Sequence, residues 1–237
     1  MIALVIALIV SFIPSIAIFL WMANIRKDDA DYRKTCWTAL FKGITRVGSV
    51  LLLSAAFRIV RRLLGLSEKG EIWAELFTAF IIHSLAEETV KYLVARKIIK
   101  EREDTVSWLD IMAWQTSIGL GFGLIEDVIY FFGSNVGQIL VRGVMAMHGY
   151  LGLLMGYYIG KSIKTGNTAY RHTAFLVPFI LHGTYDFCLY KGLPEGIGVI
   201  SLAIAAGMLI WGVIMLVKTA KMKKDPVYMQ HIYSRKE

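Results

Sequence analysis

Residues 83–91 read His83-Ser84-Leu85-Ala86-Glu87-Glu88-Thr89-Val90-Lys91, and the setting of these nine residues decides the fold. They lie inside an apolar run over 72–99, long enough at about 1.5 Å per residue for one membrane-spanning helix. An ionisable group near the bilayer centre costs roughly 2.5 to 3.5 kcal/mol, so such groups face protein and have partners. Helical periodicity puts His83, Glu87 and Lys91 on one stripe, and Glu88 reaches Lys91 by the i, i+3 spacing. Two carboxylates therefore share one ammonium. The plain alternative is a structural ion pair with a spare acid. The sharper reading is a site, because ionisable groups within membranes mark function and carboxylates in unusual surroundings collect at active sites.

The rest of the chain fits that setting. Of its 237 residues 56% are hydrophobic and the mean hydropathy is +0.56, above the 45 to 50% usual for soluble domains. This is the composition of an integral membrane protein, with the lipid bilayer as its surroundings. The net charge of +8 does not point to nucleic acid, since Lys and Arg fall in short clusters between apolar runs, where membrane orientation explains them. Cys36 and Cys188 show no CxxC and no zinc-site spacing, and they are expected near opposite faces, unpaired. The segment 2–23 lacks a basic leader and a small-residue cleavage site, so it reads as an uncleaved transmembrane helix.

Apolar runs near 2–23, 37–57, 72–98, 109–132, 138–160, 172–190 and 196–217 predict an all-α, polytopic bundle of about seven spans. It forms one integral membrane domain over 1–237, with a motif-bearing core over 72–190 and a basic cytoplasmic tail over 218–237. With the N-terminus outside, the basic clusters in 26–34, 96–102, 161–171 and 218–236 fall inside and only Arg58, Arg61, Arg62, Lys69 and Lys191 outside. That bias predicts N-out and C-in in a multi-pass cell-membrane protein. The second run is the least regular, because it carries Lys42 and Arg46, whose long side chains can snorkel to the interface.

Three more runs carry polar groups. In the fourth, Phe122 and Glu126 share a face with Gly119 and Gly123, beside a second acid, Asp127. The glycines predict close helix packing; they form no dinucleotide fingerprint, since no strand precedes them. In the fifth, His148 precedes Gly152, Gly156 and Gly160, a small-residue ladder that predicts a packing face. In the sixth, His182 and Asp186 lie i, i+4 after Pro178. Counted inward from the outer ends of these runs at about 1.5 Å per residue, Glu126, His148, His182 and Glu87 all fall in the middle to outer part of the membrane. The coincidence predicts one hydrated cavity lined by Glu87, Glu88, Glu126, His148, His182 and Asp186.

Glu87-Glu88-x-x-Lys91, Phe122-x-x-x-Glu126 and His182-x-x-x-Asp186, in this order on successive helices, resemble the three motifs of the PrsW family of glutamic-type intramembrane proteases. Val141-Arg142-Gly143, Met147-His148 and the Gly152 to Gly160 ladder are similar to that family as well. The resemblance covers roughly 72–190. More distantly the pattern resembles CAAX prenyl proteases and immunity-type membrane proteases, from which Lys91 departs by standing where an arginine is expected. Asp127 stands where the motif calls for an asparagine.

The resemblance implies a hydrolase cutting a membrane-anchored protein, such as an anti-sigma factor, near its extracytoplasmic juxtamembrane end. It implies Glu87, Glu88, Glu126 and His182 as catalytic residues, with Lys91, Phe122, Asp127, His148 and Asp186 in support. A glutamate would activate water and His182, held by Asp186, would stabilise the oxyanion; either Glu87 or Glu88 can be the base. No cofactor and no metal are expected on this reading. Two alternatives come from other classes. One is a proton- or cation-coupled transporter, since midplane acids and histidines also form relays. The other is a metal-dependent hydrolase with Glu126, His148, His182 and Asp186 as ligands, although no HExxH spacing is present.

Overall fold

The computed structural model describes residues 2–66, 72–133, 135–189, 196–230 and 232. Lys69, Lys191, Arg235 and Lys236 of the charge argument lie outside the described residues. The fold is all-α, and no strand forms among the described residues.

Helix α1 covers Ile2–Asn24 and α2 covers Ala30–Leu63. Asp29 starts α2 by accepting the Tyr32 N–H at 2.9 Å, satisfying one of the free donors at the helix start. The irregular second run is thus one unbroken helix, and Lys42 within it reaches Glu101 at 3.5 Å. The stretch over 72–101 is helical throughout but not uniformly α. Ile72–Leu76 (α3) opens into a π-helix over Phe77–Leu85, which tightens again into α4, Ala86–Glu101. π turns are rare and gather at functional sites. Here Ser54 donates to the Ile82 carbonyl at 2.8 Å, and Ser84 donates to the Phe179 carbonyl at 2.7 Å, tying the widened segment to its neighbours.

Helix α5, Trp108–Phe131, is the axis of the molecule: every residue from Trp108 to Phe122 is buried. Its start is fixed by a reciprocal cap in which the Asp110 N–H donates to Ser107 Oγ and the Ser107 N–H to Asp110 Oδ2. A Cβ on Gly121 would lie 2.1 Å from the Leu40 carbonyl oxygen of α2, and one on Gly119 would lie 2.0 Å from that of His148. Backbone thus meets backbone on two sides of α5, which only glycine permits. The small-residue ladder is the packing face it was expected to be, with Gly152 against Gln115, Gly156 against Met112 and Gly160 against the Trp108 indole.

The fifth apolar run does not form the span expected over 138–160. It divides into α6, Val136–Met145, and α7, Met147–Thr165, at Ala146, whose φ of 40° is the one positive value among described non-glycine residues. Ten residues of α6 rise about 15 Å, too short to cross a bilayer. The correction moves His148 to the second position of α7, so its expected depth along a longer helix does not hold. Helix α8, Ala169–Phe187, runs through Pro178, and α9, Gly198–Met222, is followed by the short α10, Pro226–Met229. Among the described residues α1, α2 and α9 are long and apolar enough to cross a membrane by length and composition alone. The remaining long helices carry the polar residues of the interior.

Candidate active site

Four elements deliver the polar groups to one place. The first turn of α4 presents Glu87 and Glu88, and Lys91 lies one turn on. Glu126 and Asp127 come from the last turns of α5, His148 from the start of α7, and His182 and Asp186 from the end of α8.

Lys91 Nζ donates to Glu88 Oε1 at 2.6 Å and to His148 Nδ1 at 3.1 Å, and stands 3.7 Å from Glu87 Oε2. It also lies 4.8 Å from the centre of the Phe122 ring, whose face attracts the cation. Phe122 is therefore a wall of the ion cluster. An ammonium has no lone pair to offer, so His148 Nδ1 must be the accepting nitrogen. Its Nε2 then carries the proton and donates to Glu126 Oε2. His182 donates through Nδ1 to Glu88 Oε1 at 2.9 Å. Its other nitrogen faces two carboxylate oxygens, Asp186 Oδ2 at 3.4 Å and Glu87 Oε2 at 3.8 Å. The closer partner of His182 is thus Glu88, with Asp186 on the far side of the ring. Glu87 Oε2 is buried and has no hydrogen-bond partner.

A cavity of about 40 Å³ opens beside this cluster, lined among others by Glu126, Asp127, His148, His182, Tyr185 and Asp186. It has room for a few water molecules. Glu87 and Glu88 do not line it, which corrects the expectation of six residues around one cavity. Both glutamates lie just past the π-to-α junction and are only 4% and 1% exposed. Arg142 of α6, missed as a site residue from sequence, closes the opposite wall: it pairs with Glu126 at 2.9 Å and with Asp127 at 3.3 Å, stacked 4.0 Å from the Tyr130 ring. The signal was there, since Arg142 is a lone charge inside an apolar run. Asp127 is occupied by this pairing and is drawn away from the Glu87/Glu88 cluster. Ser15 of α1 and Ala146 also line it and carry no sequence signal of their own.

The grouping bears on metal binding. Ligating atoms of Glu87, Glu88, His148 and His182 lie within 4.8 Å of one another, a set that differs from the one expected from sequence by exchanging Glu126 and Asp186 for the glutamate pair. Two imidazoles and two carboxylates suit a zinc-like ion in type. The site also gathers five carboxyl groups, Glu87, Glu88, Glu126, Asp127 and Asp186, around two fixed cations, Lys91 and Arg142. The residues therefore fit a divalent cation in donor type and in charge. Lys91 is the competitor, because it already holds Glu88 and the accepting nitrogen of His148.

A helical membrane protein with an acid-and-imidazole centre buried among its helices is the class this architecture defines. A family model described as "PrsW family intramembrane metalloprotease" matches residues 32–220. The chain belongs to the PrsW family of intramembrane proteases. It is 29% identical over 153 residues to Protease PrsW of Oceanobacillus iheyensis, an alignment covering 63% of this chain and 69% of that one. It is 29% identical over 163 residues to Protease PrsW of Geobacillus kaustophilus, covering 66% and 70%, and 32% identical over 149 residues to Protease PrsW of Clostridioides difficile, covering 58% and 62%. No solved structure matches the chain.

Proposed function

We propose that this chain is a multi-pass cell-membrane endopeptidase that hydrolyses a peptide bond of a membrane-anchored protein with water activated by Glu87. The observation that carries the assignment is the open acceptor Oε2 of Glu87, buried beside His182 and His148 and bound by neither. Glu88 is already saturated at Oε1 by Lys91 and His182, which makes it the structural partner of the pair. On this reading the two glutamates, which the sequence left equivalent, take different roles.

The chemistry follows from the placement of the groups. A water drawn from the cavity to the imidazole pair gives its proton to Glu87 as its oxygen attacks the carbonyl carbon. His182, held by Glu88 and Asp186, donates to the oxygen that becomes negative. As the C–N bond breaks, the leaving amine takes the proton that Glu87 received from water, while His148, whose Nε2–H the Glu126 carboxylate orients, holds the attacking water in place. Arg142 fixes Glu126 for that role. A divalent cation bound by Glu87, Glu88, His148 and His182 would supply Lewis acidity toward the carbonyl oxygen and a more acidic water. The excess of carboxyl groups favours this second, metal-assisted reading, and the metal content of purified protein separates the two.

The same reading orients the chain N-out and C-in with seven crossings: α1, α2, the helix over 72–101, α5, α7, α8 and α9. The fifth crossing belongs to α7, with the short α6 packed against the middle of α1, where Gly143 meets Ser11. Reporter fusions after Arg102 and at the C-terminus should both read cytoplasmic; an external signal at either overturns the topology. On this orientation the site opens toward the outer half of the membrane, so the scissile bond belongs to the extracytoplasmic juxtamembrane end of the substrate, the side implied by the resemblance to proteases acting on anti-sigma factors. A substrate helix unwinds there at least cost, since its end groups lack partners. Incubation of single-span membrane proteins with wild type, Glu87→Gln and His182→Ala, followed by mass mapping of the fragments, tests both points. Cleavage by Glu87→Gln at the wild-type rate, or cuts on the cytoplasmic side, would be incompatible with the proposal.

A further inference from the structure

A second feature lies away from the carboxylate cluster. At the opposite ends of the site-bearing helices, α4, α7 and α8 enclose a groove of about 530 Å³ lined by Tyr92, Arg96, Lys97, Lys100, Ile163 and Arg171. It adjoins a hollow of about 300 Å³ that shares Tyr92, Arg96 and Arg171 and continues to Phe175 and Leu176. Four cationic side chains face this space, with Glu103 as the acid among the lining residues. Arg96, Lys97, Lys100 and Arg171 are all exposed. The floor is aromatic: Tyr92 and Phe175 meet edge to face with ring centres 5.9 Å apart, and Arg96 lies over the Tyr92 ring at 6.0 Å.

We infer that this groove binds a phospholipid with an anionic headgroup, its phosphate held between Arg96 and Arg171. On the seven-crossing topology proposed above, on which this inference rests, the level is that of the headgroups: α4 ends at Glu101, α7 at Thr165, and α8 begins at Ala169. Basic pockets between transmembrane helices at this level attract anionic lipid heads, and the planar guanidinium suits a phosphate better than a point charge does. Toward the bilayer interior, Leu93 and Leu176 flank the groove with 55% and 47% exposure, so an apolar surface continues from the cations along the helices. An acyl chain uses that surface and a soluble acidic peptide does not, which decides for lipid. The inference is independent of the catalytic assignment, because Arg96 and Arg171 line none of the cavity beside the carboxylate cluster.

The test is native mass spectrometry of the purified full chain in detergent, titrated with phosphatidylglycerol or with phosphatidylcholine of the same acyl chains. Wild type should retain phosphatidylglycerol in preference. The double variant Arg96→Gln/Arg171→Gln should bind it about 30-fold more weakly, and Arg96→Lys/Arg171→Lys should fall between. Lys223→Gln/Lys224→Gln, altering a basic pair elsewhere, should bind as wild type does. Equal retention of the two lipids, or equal loss in the two Gln double variants, overturns the inference. Competition by glycerol phosphate as strong as that by whole lipid would show a small-anion site and overturn the lipid assignment.

Discussion

Lys91 Nζ lies 2.6 Å from Glu88 Oε1, and the two side chains are 2% and 1% exposed. An ion pair this deeply buried gains little over a well-packed apolar pair, but removing one partner leaves a charge without compensation, at about 3 to 5 kcal/mol. Lys91→Met should therefore destabilise the protein strongly, while Lys91→Met/Glu88→Leu should recover much of the loss and remain inactive. Thermal unfolding in detergent, compared with cleavage of a membrane-anchored substrate, checks both halves. Recovery of activity in the double variant would mean that the pair is not needed for chemistry.

Glu87 should behave differently from Glu88. Its Oε2 makes no hydrogen bond, so Glu87→Gln, nearly the same in shape, should unfold close to the wild-type temperature. Its cleavage rate should fall by about 10²-fold or more, the usual share of a general base. Glu88→Gln weakens contacts to both Lys91 and His182, and should lose stability together with activity.

The contact of α5 with α7 sets the position of His148. A Cβ at Gly119 would fall 2.0 Å from the His148 carbonyl oxygen, whereas nothing lies within 4 Å of one at Gly207 on α9. Gly119→Ala should cost about 1 to 3 kcal/mol by overpacking and should lower activity through the displaced imidazole. Gly207→Ala should stabilise by about 0.5 to 1 kcal/mol through its higher helix propensity. Unfolding midpoints of the two variants should move in opposite directions.

Arg142 pairs with Glu126 and Asp127 while its own side chain is 23% exposed. Arg142→Gln should leave the fold largely intact and reduce kcat by about 10- to 100-fold, as expected when a reacting group is misplaced by an ångström or less. KM should change less, because Arg142 orients Glu126 and does not hold the substrate. Arg142→Lys should restore part of kcat.

Ala146 adopts φ 40° at the junction of α6 and α7, a region that costs a side-chain-bearing residue about 1 to 2 kcal/mol. Ala146→Gly removes that cost and should raise the unfolding midpoint. It also loosens the turn that sets His148, so a more stable protein with lower activity is the expected pair of results from denaturation and cleavage assays.

The sequence by itself determined the class. Long apolar runs required helices, because a backbone in hydrocarbon must satisfy its own hydrogen bonds. Acids and histidines set inside those runs required a shared interior, because each is too costly to leave facing lipid. Spacing alone put Lys91 against Glu88 and made the Gly152 to Gly160 ladder a packing face, since both depend only on 3.6 residues per turn. Tertiary structure decided what periodicity cannot express. The π-helix over Phe77–Leu85 ends just before Glu87 and Glu88, and the pair meets His182 without lining the cavity, neither of which periodicity reports. The left-handed Ala146 divides an uninterrupted apolar run, and composition does not report the sign of φ. Arg142 found Glu126 and Asp127 only because α6 folds back across the end of α5. The separate roles proposed for Glu87 and Glu88 rest on which carboxylate oxygen is left without a donor. That depends on contacts among residues up to 94 positions apart in the chain, as between Glu88 and His182, and local sequence holds no record of them.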